Sequence, residues 1–184
     1  MLSQFSAEES KQTLADFFDV PKDVYPVGRL DFDSEGLLLL TNDKQLNHRL
    51  LNPKFFHQRS YWVQVDGAIT DEAIQQLAIG VEITLDGKIY LTKKAIAKLF
   101  ETDPFVPARN PTIRFRKEIP APWIELILTE GKNRQVRKMT SKVGFPTLRL
   151  IRNRIEDIHL DNMHPGEISS LSEKEIYQKL FHEK

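Results

Sequence analysis

The sequence contains no cysteine and no long apolar segment, and each absence excludes a class of protein. Without cysteine there is no disulfide framework and no cysteine-based metal or redox site. No run approaches the roughly 20 apolar residues that a membrane-spanning helix needs. The first nine residues, MLSQFSAEE, also lack the basic and apolar regions of a secretory signal. We therefore expect a cytoplasmic protein.

Net charge is absent as well, since 26 basic residues balance 26 acidic ones. The average conceals a segregated stretch at 132–154, which has eight basic side chains and no acidic one. They are Lys132, Arg134, Arg137, Lys138, Lys142, Arg149, Arg152 and Arg154. Such a stretch suggests a face for a polyanion, because phosphate contacts release counterions and supply most sequence-independent affinity. A solvated helix face is the alternative interpretation.

The apolar patterns predict an α+β protein with a mixed, largely antiparallel sheet, because strands, helices and a hairpin alternate irregularly. The predicted strands cover 37–40, 61–65, 81–85, 88–91, 123–129 and 147–151. The predicted helices cover 6–20, 43–52, 70–79, 133–143 and 172–182. Ser6 and Glu9 predict a capping box for the first helix, with an apolar edge at Leu14, Phe17 and Phe18; Asp43 is expected to cap the second, and Ser172 with Glu175 to box the last. Asp86 and Gly87 predict the hairpin turn between strands 81–85 and 88–91. At 184 residues the chain is long enough for one sizeable core or for two small lobes that share a cleft.

A proline-rich connection divides the chain. Residues 104–122 contain five prolines and four basic residues, which is typical of a long connection that also extends the positive track. The four are Arg109, Arg114, Arg116 and Lys117. We expect one domain with approximate lobes at 1–103 and 123–170, followed by the C-terminal helix at 172–182.

The segment GRLDFDSEG at 28–36 is the most informative part of the chain, because it concentrates three carboxylates directly before an apolar run. Ionised carboxylates next to a core are costly to desolvate, so such a loop is typical of an active site. Two other interpretations are open. Asp31, Asp33 and Glu35 match positions 1, 3 and 5 of a calcium-binding EF-hand loop, although position 12 is Asn42 instead of Glu. Alternatively, the carboxylates accept backbone N–H groups in a capped turn.

Extended over GRLDFDSEGLLLLTND at 28–43, the same segment resembles motif II of the A-type family of ribosomal small-subunit pseudouridine synthases. Three further segments resemble that family in order and spacing: RSYWVQVDG at 59–67, EGKNRQVRKM at 130–139 and VGFPTLRLIR at 143–152. NPTIR at 110–114, together with Pro122 and Trp123, is most similar to the large-subunit (23S) rRNA pseudouridine synthase E subgroup. The resemblance implies the pseudouridine synthase fold, with the active cleft between its two lobes.

The resemblance also has two departures. The family's first strand, with its Lys-Pro motif, should precede Leu2, so the chain looks N-terminally short by one strand. Many members carry an RNA-binding S4 domain, and the 27 residues ahead of Gly28 leave no space for one. We therefore expect the catalytic domain itself to choose the target.

The resemblance implies three catalytic residues. Asp31 would be the catalytic aspartate, acting as nucleophile at the ribose C1′ or as base at C2′. Arg137 would pair with Asp31, and a helical wheel supports this by placing Arg137 at the border of the buried side, about 100° from Val136. Tyr61 would receive the uracil after the nucleotide is flipped out of its stack. A solvated arginine and a core tyrosine are the alternatives for Arg137 and Tyr61.

The remaining assignments concern the RNA. Arg29 is expected to fill the gap left by the flipped base, and Leu148 to wall the uracil pocket. The expected backbone contacts are Lys132, Arg134, Lys138, Arg149 and Arg152, with Arg154 beside them. The wheel places Arg134 and Lys138 nearly opposite the buried side of the helix, which favours phosphate contacts.

These observations predict an rRNA pseudouridine synthase that isomerises a specific uridine in large-subunit rRNA. The reaction is redox-neutral, so no cofactor and no metal are expected, and the partner is ribosomal RNA bound by a monomer. A non-catalytic RNA-binding or ribosome-assembly module that uses 132–154 is the alternative.

Overall fold

The computed structural model describes residues 1–8, 11–113 and 116–183. Its strands are β1 (Tyr25–Pro26), β2 (Glu35–Gly36), β3 (Leu40–Thr41), β4 (Arg59–Val65), β5 (Glu82–Leu85), β6 (Lys88–Leu91), β7 (Ile96–Leu99), β8 (Trp123–Leu128), β9 (Thr147–Ile155) and β10 (Ile158–His159). Its α-helices are α1 (Lys44–Leu51), α2 (Asp71–Ile79), α3 (Gln135–Lys142) and α4 (Glu173–Phe181). Short 3-10 turns cover Leu14–Asp16 and Pro53–Phe55.

A central sheet organises the molecule. Its strands lie in the order β10-β9-β4-β8-β7, with antiparallel neighbours along this path, and β2 pairs with β9 in parallel. β4 lies in the middle because its alternating residues Val63 and Val65 are fully buried on one face. The predicted α+β class with a mixed, largely antiparallel sheet is confirmed.

Two hydrophobic cores flank this framework. The first lies between the central sheet, α2, α3 and the β5–β6 hairpin, with Val63, Ile124 and Met139 at its centre. The second is built by the segment that follows β2, by α1 and by α4, which contributes Leu180; Leu46 of α1 is 2% exposed there. The carboxylate-rich loop at 28–36 leads directly into this second core.

The expected division into lobes at 1–103 and 123–170 does not match this packing. β4 belongs to the first range but lies between β8 and β9 of the second. Ile155, near the end of the second range, packs into the core formed by 27–50. Strand pairing across a long connection decides the division, and apolar periodicity along the chain does not reveal it.

Several local predictions are confirmed. Asp43 caps α1, since its Oδ1 accepts from the backbone N–H groups of Gln45 and Leu46 at 2.8 and 3.1 Å. The β5–β6 hairpin turns at Asp86 and Gly87 as expected. Ser172 begins α4 through its capping box. Each of these features depends only on neighbours within a few residues.

The predicted N-terminal helix is wrong. Glu9, which completes the proposed capping box, lies outside the described residues. The described chain instead forms a bridge between Leu2 and Thr13 and a single 3-10 turn at Leu14–Asp16. Leu14 is buried, but Phe17 is 50% exposed, so the expected apolar edge does not pack. A short helix without a packed face is marginal, which explains the difference.

The apolar run 37–40 is not one continuous strand. The Leu37 N–H donates to the Arg152 carbonyl at 2.8 Å, which extends the pairing of β2 with β9. Two residues later the Leu39 carbonyl accepts from Val27 N–H at 2.8 Å, which begins the β1–β3 pair. The chain therefore crosses from one sheet to another within this run, and both leucines are buried at the crossing.

Among the described residues, none of the helices has both the length and the apolar character to cross a membrane.

Candidate active site

The loop at 28–36 has a closely constrained backbone. At its start, Ser3 Oγ donates to the Leu30 carbonyl at 3.0 Å and accepts from the Leu30 N–H at 2.9 Å. In its middle, the Ser34 N–H donates to the Asp31 carbonyl at 2.9 Å, which closes a turn. These bonds hold the Asp31 backbone on both sides.

The end of the loop requires glycine. Gly36 has φ 105°, and a Cβ added there would lie 2.3 Å from the Arg152 carbonyl oxygen. No other residue combines this conformation with so close an approach to β9. Gly36 therefore seats the loop directly against the strand that carries Arg152.

Asp31 lies in the turn with its side chain 32% exposed. Its Oδ2 is 3.8 Å from Arg134 Nη1, which is within ion-pair distance but beyond a hydrogen bond. The carboxylate is thus accessible and lies near a positive charge.

Asp33, two residues later, is the principal partner of the arginines. Arg134 donates to it through two parallel bonds, Nη1 to Oδ1 at 2.8 Å and Nη2 to Oδ2 at 2.9 Å. Arg137 Nη2 donates to the Asp33 carbonyl at 2.7 Å, and Arg137 Nε lies 3.3 Å from Asp33 Oδ2. The hydrogen bonds from Arg134 hold the pKa of Asp33 below its usual value, and the charge of Arg137 acts in the same direction.

The predicted pairing of Arg137 with Asp31 is therefore not what the structure has, since the carboxylate in contact with Arg137 is that of Asp33. The wheel was correct that Arg137 lies at the edge of the buried side, because its side chain is only 12% exposed. Burial lowers the pKa of the Arg137 guanidinium despite the opposing charge of Asp33. Arg137 thus sits beside the loop, bound to Asp33 and to its backbone.

The predicted position of Arg134 is wrong for a local reason. Helix α3 begins at Gln135, and Arg134 is its N-cap in a left-handed conformation with φ 53°. A helical wheel that includes Arg134 does not apply to a residue outside the helix. Its side chain, 43% exposed, consequently turns to Asp33 and Asp31.

Tyr61 lies on β4, directly opposite Leu126 of β8 and Arg152 of β9. The β4–β9 register shifts between Ser60 and Tyr61, and such irregularities re-aim side chains beside active sites. Tyr61 is half-buried and packs against the first core. This position is compatible with both the base platform and ordinary packing, so its role stays a prediction.

Of the three β9 arginines that were expected to contact phosphates, Arg149 and Arg152 are buried. Arg149 donates to both carboxylate oxygens of Glu35 at 2.9 and 2.8 Å and to the Pro107 carbonyl at 2.8 Å. Arg152 Nε donates to the Leu37 carbonyl at 2.8 Å, and only 5% of the residue is exposed. Loop 28–36 and the chain near Pro107 therefore hold both arginines inside the protein, and the assignment of Arg149 and Arg152 to the RNA stays a prediction.

Other basic residues of the predicted RNA face are accessible. Arg29 and Lys132 are exposed, with Lys132 Nζ 5.1 Å from the centre of the Tyr90 ring, and Lys138 is half-exposed. Leu148, the expected pocket wall, is half-buried at the start of β9.

The rest of the expected track lies on the connection and near the end of β9. Arg109 and Arg116 form ion pairs with Glu35 and Asp66 at 3.5 and 3.2 Å. Arg154 donates to the Glu156 carbonyl, and Arg114 lies outside the described residues. These internal contacts leave less of the track available than its charges suggest.

Glu130 was missed by sequence reasoning. It is 4% exposed and accepts from the Lys93 N–H at 2.9 Å, from Gln135 Nε2 at 2.6 Å and from the Tyr90 hydroxyl. The bond to Glu130 raises the pKa of Tyr90 to about 12. Glu130 therefore ties the start of α3 to the β5–β6 hairpin, and a carboxylate at a strand-to-helix turn was the available signal.

The calcium interpretation of the loop finds no support. The carboxylates of Asp33 and Glu35 are occupied by Arg134 and Arg149. Over the ranges that the structure describes, no three His, Asp or Glu side chains are grouped to hold a metal ion. The arrangement instead leaves Asp31 partly exposed and 3.8 Å from Arg134, whose hydrogen bonds go to Asp33.

Comparison with known proteins agrees with this chemistry. Residues 3–142 match the family described as RNA pseudouridylate synthase. A protein of Vibrio vulnificus named ribosomal large subunit pseudouridine synthase E is 47% identical over 93% of this chain and 70% of its own length. A protein of the same name from Xanthomonas axonopodis pv. citri is 48% identical over 90% of this chain and 85% of its own length.

A more distant relative and a solved structure are also named as pseudouridine synthases. The ribosomal large subunit pseudouridine synthase B of Bacillus subtilis is 32% identical over 96% of this chain and 66% of its own length. A solved pseudouridylate synthase superimposes with a TM-score of 0.71 at 31% identity, covering 91% of this chain and 65% of that one. None of these matches carries a small-subunit description of the A type, so that finer assignment is unsupported.

Proposed function

The chain belongs to the RNA pseudouridylate synthase family, and from this premise we propose that it isomerises a specific uridine to pseudouridine in large-subunit ribosomal RNA. The observation that carries the proposal is the position of Asp31, a partly exposed carboxylate on a constrained loop, 3.8 Å from Arg134. The similarity to two proteins named large-subunit pseudouridine synthase E supports the choice of RNA.

The chemistry needs one carboxylate. In one route Asp31 attacks the ribose C1′ as the N1–C1′ bond breaks, and in the other it removes the C2′ proton. The uracil then rotates and its C5 bonds to C1′, which breaks the Asp31–C1′ bond in the first route and is accompanied by return of the proton to C2′ in the second. The C5 proton leaves and N1 gains a proton. Atoms and electrons balance without an oxidant or a second substrate, and both routes require Asp31 to be ionised and reachable.

The other residues would act on the RNA around Asp31. Tyr61, on β4 with β9 between it and the end of the loop, would stack on the flipped uracil, and Leu148 would line the pocket. The accessible cations are Arg29, Lys132 and Lys138. They would bind phosphates and fill the gap that the flipped base leaves in the RNA. We also propose that the chain is one catalytic domain that acts as a monomer in the cytoplasm.

Replacement of Asp31 tests the proposal directly. Asp31→Asn keeps the shape of the side chain but removes its charge, so we expect pseudouridine formation to fall by at least about 10³-fold. RNA affinity should stay within about twofold, because the loop is held by its backbone. The measurement is pseudouridine mapping in rRNA after incubation, with a filter-binding assay in parallel.

Asp86→Asn is the matched control, since Asp86 is an exposed turn residue of the β5–β6 hairpin. It should leave both quantities unchanged. Full turnover in Asp31→Asn would refute the catalytic assignment. RNA binding by the native protein without any pseudouridine would favour the non-catalytic RNA-binding or ribosome-assembly module.

A further inference from the structure

Two lysines lie over aromatic rings at one end of the central sheet, and we infer that this surface binds unpaired nucleotides of the RNA beside the target uridine. Lys93 Nζ is 4.1 Å from the centre of the Phe56 ring, and Lys132 Nζ is 5.1 Å from that of Tyr90. We call these four residues the lysine–aromatic surface. The choice of RNA as its ligand rests on the proposed function, and three of the four residues lie outside the basic stretch at 132–154.

The fold brings the surface together where three neighbouring strands begin or end. Phe56 lies just before β4, Lys93 just before β7 and Lys132 just after β8. The starts of β4 and β7 both pair with the end of β8. Residues far apart in sequence therefore meet at a single edge of the molecule.

A buried carboxylate fixes the two lysines relative to each other. Glu130, 4% exposed, accepts from the Lys93 N–H at 2.9 Å and from the Tyr90 hydroxyl. The Lys132 N–H donates to Gln135 Oε1 at 3.0 Å, and Gln135 Nε2 in turn donates to Glu130 at 2.6 Å. These bonds hold the main chains of both lysines and use neither ammonium group.

The two lysines carry charge that is available to an anion. Both are exposed, and over the residues that the structure describes no ion pair joins either ammonium to a carboxylate. Such a lysine takes a phosphate without first breaking an ion pair, and it releases counterions from the RNA when it does so. Charge complementarity therefore favours a polyanion as the partner.

The rings specify what kind of polyanion fits. Phe56 is 53% exposed, and unpaired bases stack on accessible aromatic side chains, whereas the faces of paired bases are covered by their neighbours. A lysine over an exposed ring is held more weakly than a stacked base. A base can therefore replace Lys93 on Phe56, and the ammonium then moves to the adjoining phosphate.

The surface is continuous with the candidate active site. Lys132 comes just before Arg134 in the chain, and Arg134 Nη1 is 3.8 Å from the Asp31 carboxylate. An RNA strand with its uridine at Asp31 would pass over Lys132 first. The nucleotides beyond would then reach Phe56 and Lys93.

Phe56→Ala tests the stacking contact. Its Kd for an unmodified large-subunit rRNA transcript, measured by filter binding, should rise about 5- to 150-fold, the range for one stacked base. The salt dependence should stay native because no charge is lost. At saturating RNA, kcat should stay within about twofold of native while KM rises, since the ring contacts RNA away from the reacting atoms. Phe56→Trp keeps a stacking ring and should bind at least as tightly as the native protein.

Phe55→Ala is the matched control, because Phe55 is 51% exposed and its ring lies near His57. Its Kd should stay within about twofold of native. A loss in Phe55→Ala equal to that in Phe56→Ala, or a native Kd in Phe56→Ala, would overturn the inference.

Lys93→Ala tests the phosphate contact independently of the ring. The slope of log Kd against log salt should weaken by about 0.7, the value for one phosphate of a single strand. Lys98→Ala, an exposed lysine on β7, should keep the native slope. Equal slopes in the two variants would remove Lys93 from the RNA.

The emission of Phe56→Trp gives a direct readout that does not depend on turnover. After subtraction of the native signal, the transcript should quench it, because a stacked base contacts the indole, while Phe55→Trp should be quenched less. Equal quenching would contradict stacking at Phe56 and leave the proposed function intact. RNA binding that depends on Phe56 and Lys93 in a native protein that forms no pseudouridine would refute the proposed function alone.

Discussion

Arg149 and Arg152 of β9 and Arg134 at the start of α3 come from one basic stretch of sequence, yet they occupy opposite environments. The side chain of Arg149 is 8% exposed and bonded to Glu35, and Arg152 is buried against Leu37. The side chain of Arg134 is 43% exposed and shares its charge between Asp33 and Asp31. The fold, and not the local charge density, therefore decides which arginines remain available to a ligand.

The difference has a physical origin in the strand. β9 lies between β10 and β4 in the sheet, and loop 28–36 crosses it at Gly36, so its arginines lose most of their water. A buried guanidinium must be bonded, since an unpaired one costs several kcal/mol. The start of α3 meets solvent, where arginine can exchange a carboxylate for a phosphate at little cost.

Among the variants that test this contrast, Arg152→Ala should have the largest effect on stability. The change removes the donor to the Leu37 carbonyl and empties a buried volume, so the free energy of unfolding should fall by about 3 kcal/mol. Urea denaturation measures it. Arg29→Ala, the loss of an exposed arginine, should change stability by less than about 0.5 kcal/mol. If the two losses are equal, Arg152 is not structural.

Arg149→Ala should have an intermediate effect. Glu35 loses two hydrogen bonds, but its side chain is 28% exposed and Arg109 remains 3.5 Å away, so we expect a loss of about 1 to 2 kcal/mol. The salt dependence of RNA binding should not change. A double-mutant cycle with Glu35→Ala measures the coupling energy between Arg149 and Glu35. A weaker salt dependence of RNA binding in Arg149→Ala would instead show that Arg149 contacts the RNA.

Lys132→Ala should have the smallest effect on stability, within about 0.5 kcal/mol, because its ammonium is exposed. Its effect should appear instead in RNA binding. The slope of log Kd against log salt should weaken by about 0.7 to 0.9, the value for one lost phosphate contact. Lys98→Ala, an exposed lysine on β7, is the control. Identical slopes in the two variants would argue that the RNA lies elsewhere.

Local features were predictable because their causes lie within a few residues. The Asp43 cap, the hairpin at Asp86 and Gly87 and the alternation of β4 all follow from neighbours in sequence, and all are found. The predicted N-terminal helix is wrong because Phe17 stays half exposed, and a short helix without a packed face is marginal. The single strand predicted at 37–40 is wrong because the residues of this run pair with two different sheets.

The sequence by itself determined the class of fold, the family and the loop that carries Asp31, since these reside in residue order and short-range pattern. Only the tertiary structure decided that Arg134 and Arg137 bind Asp33 and that Arg149 and Arg152 are buried. Those contacts join residues about 100 positions apart. Their outcome depends on which surfaces lose water when the loop seats on β9, and no pattern along the chain records that.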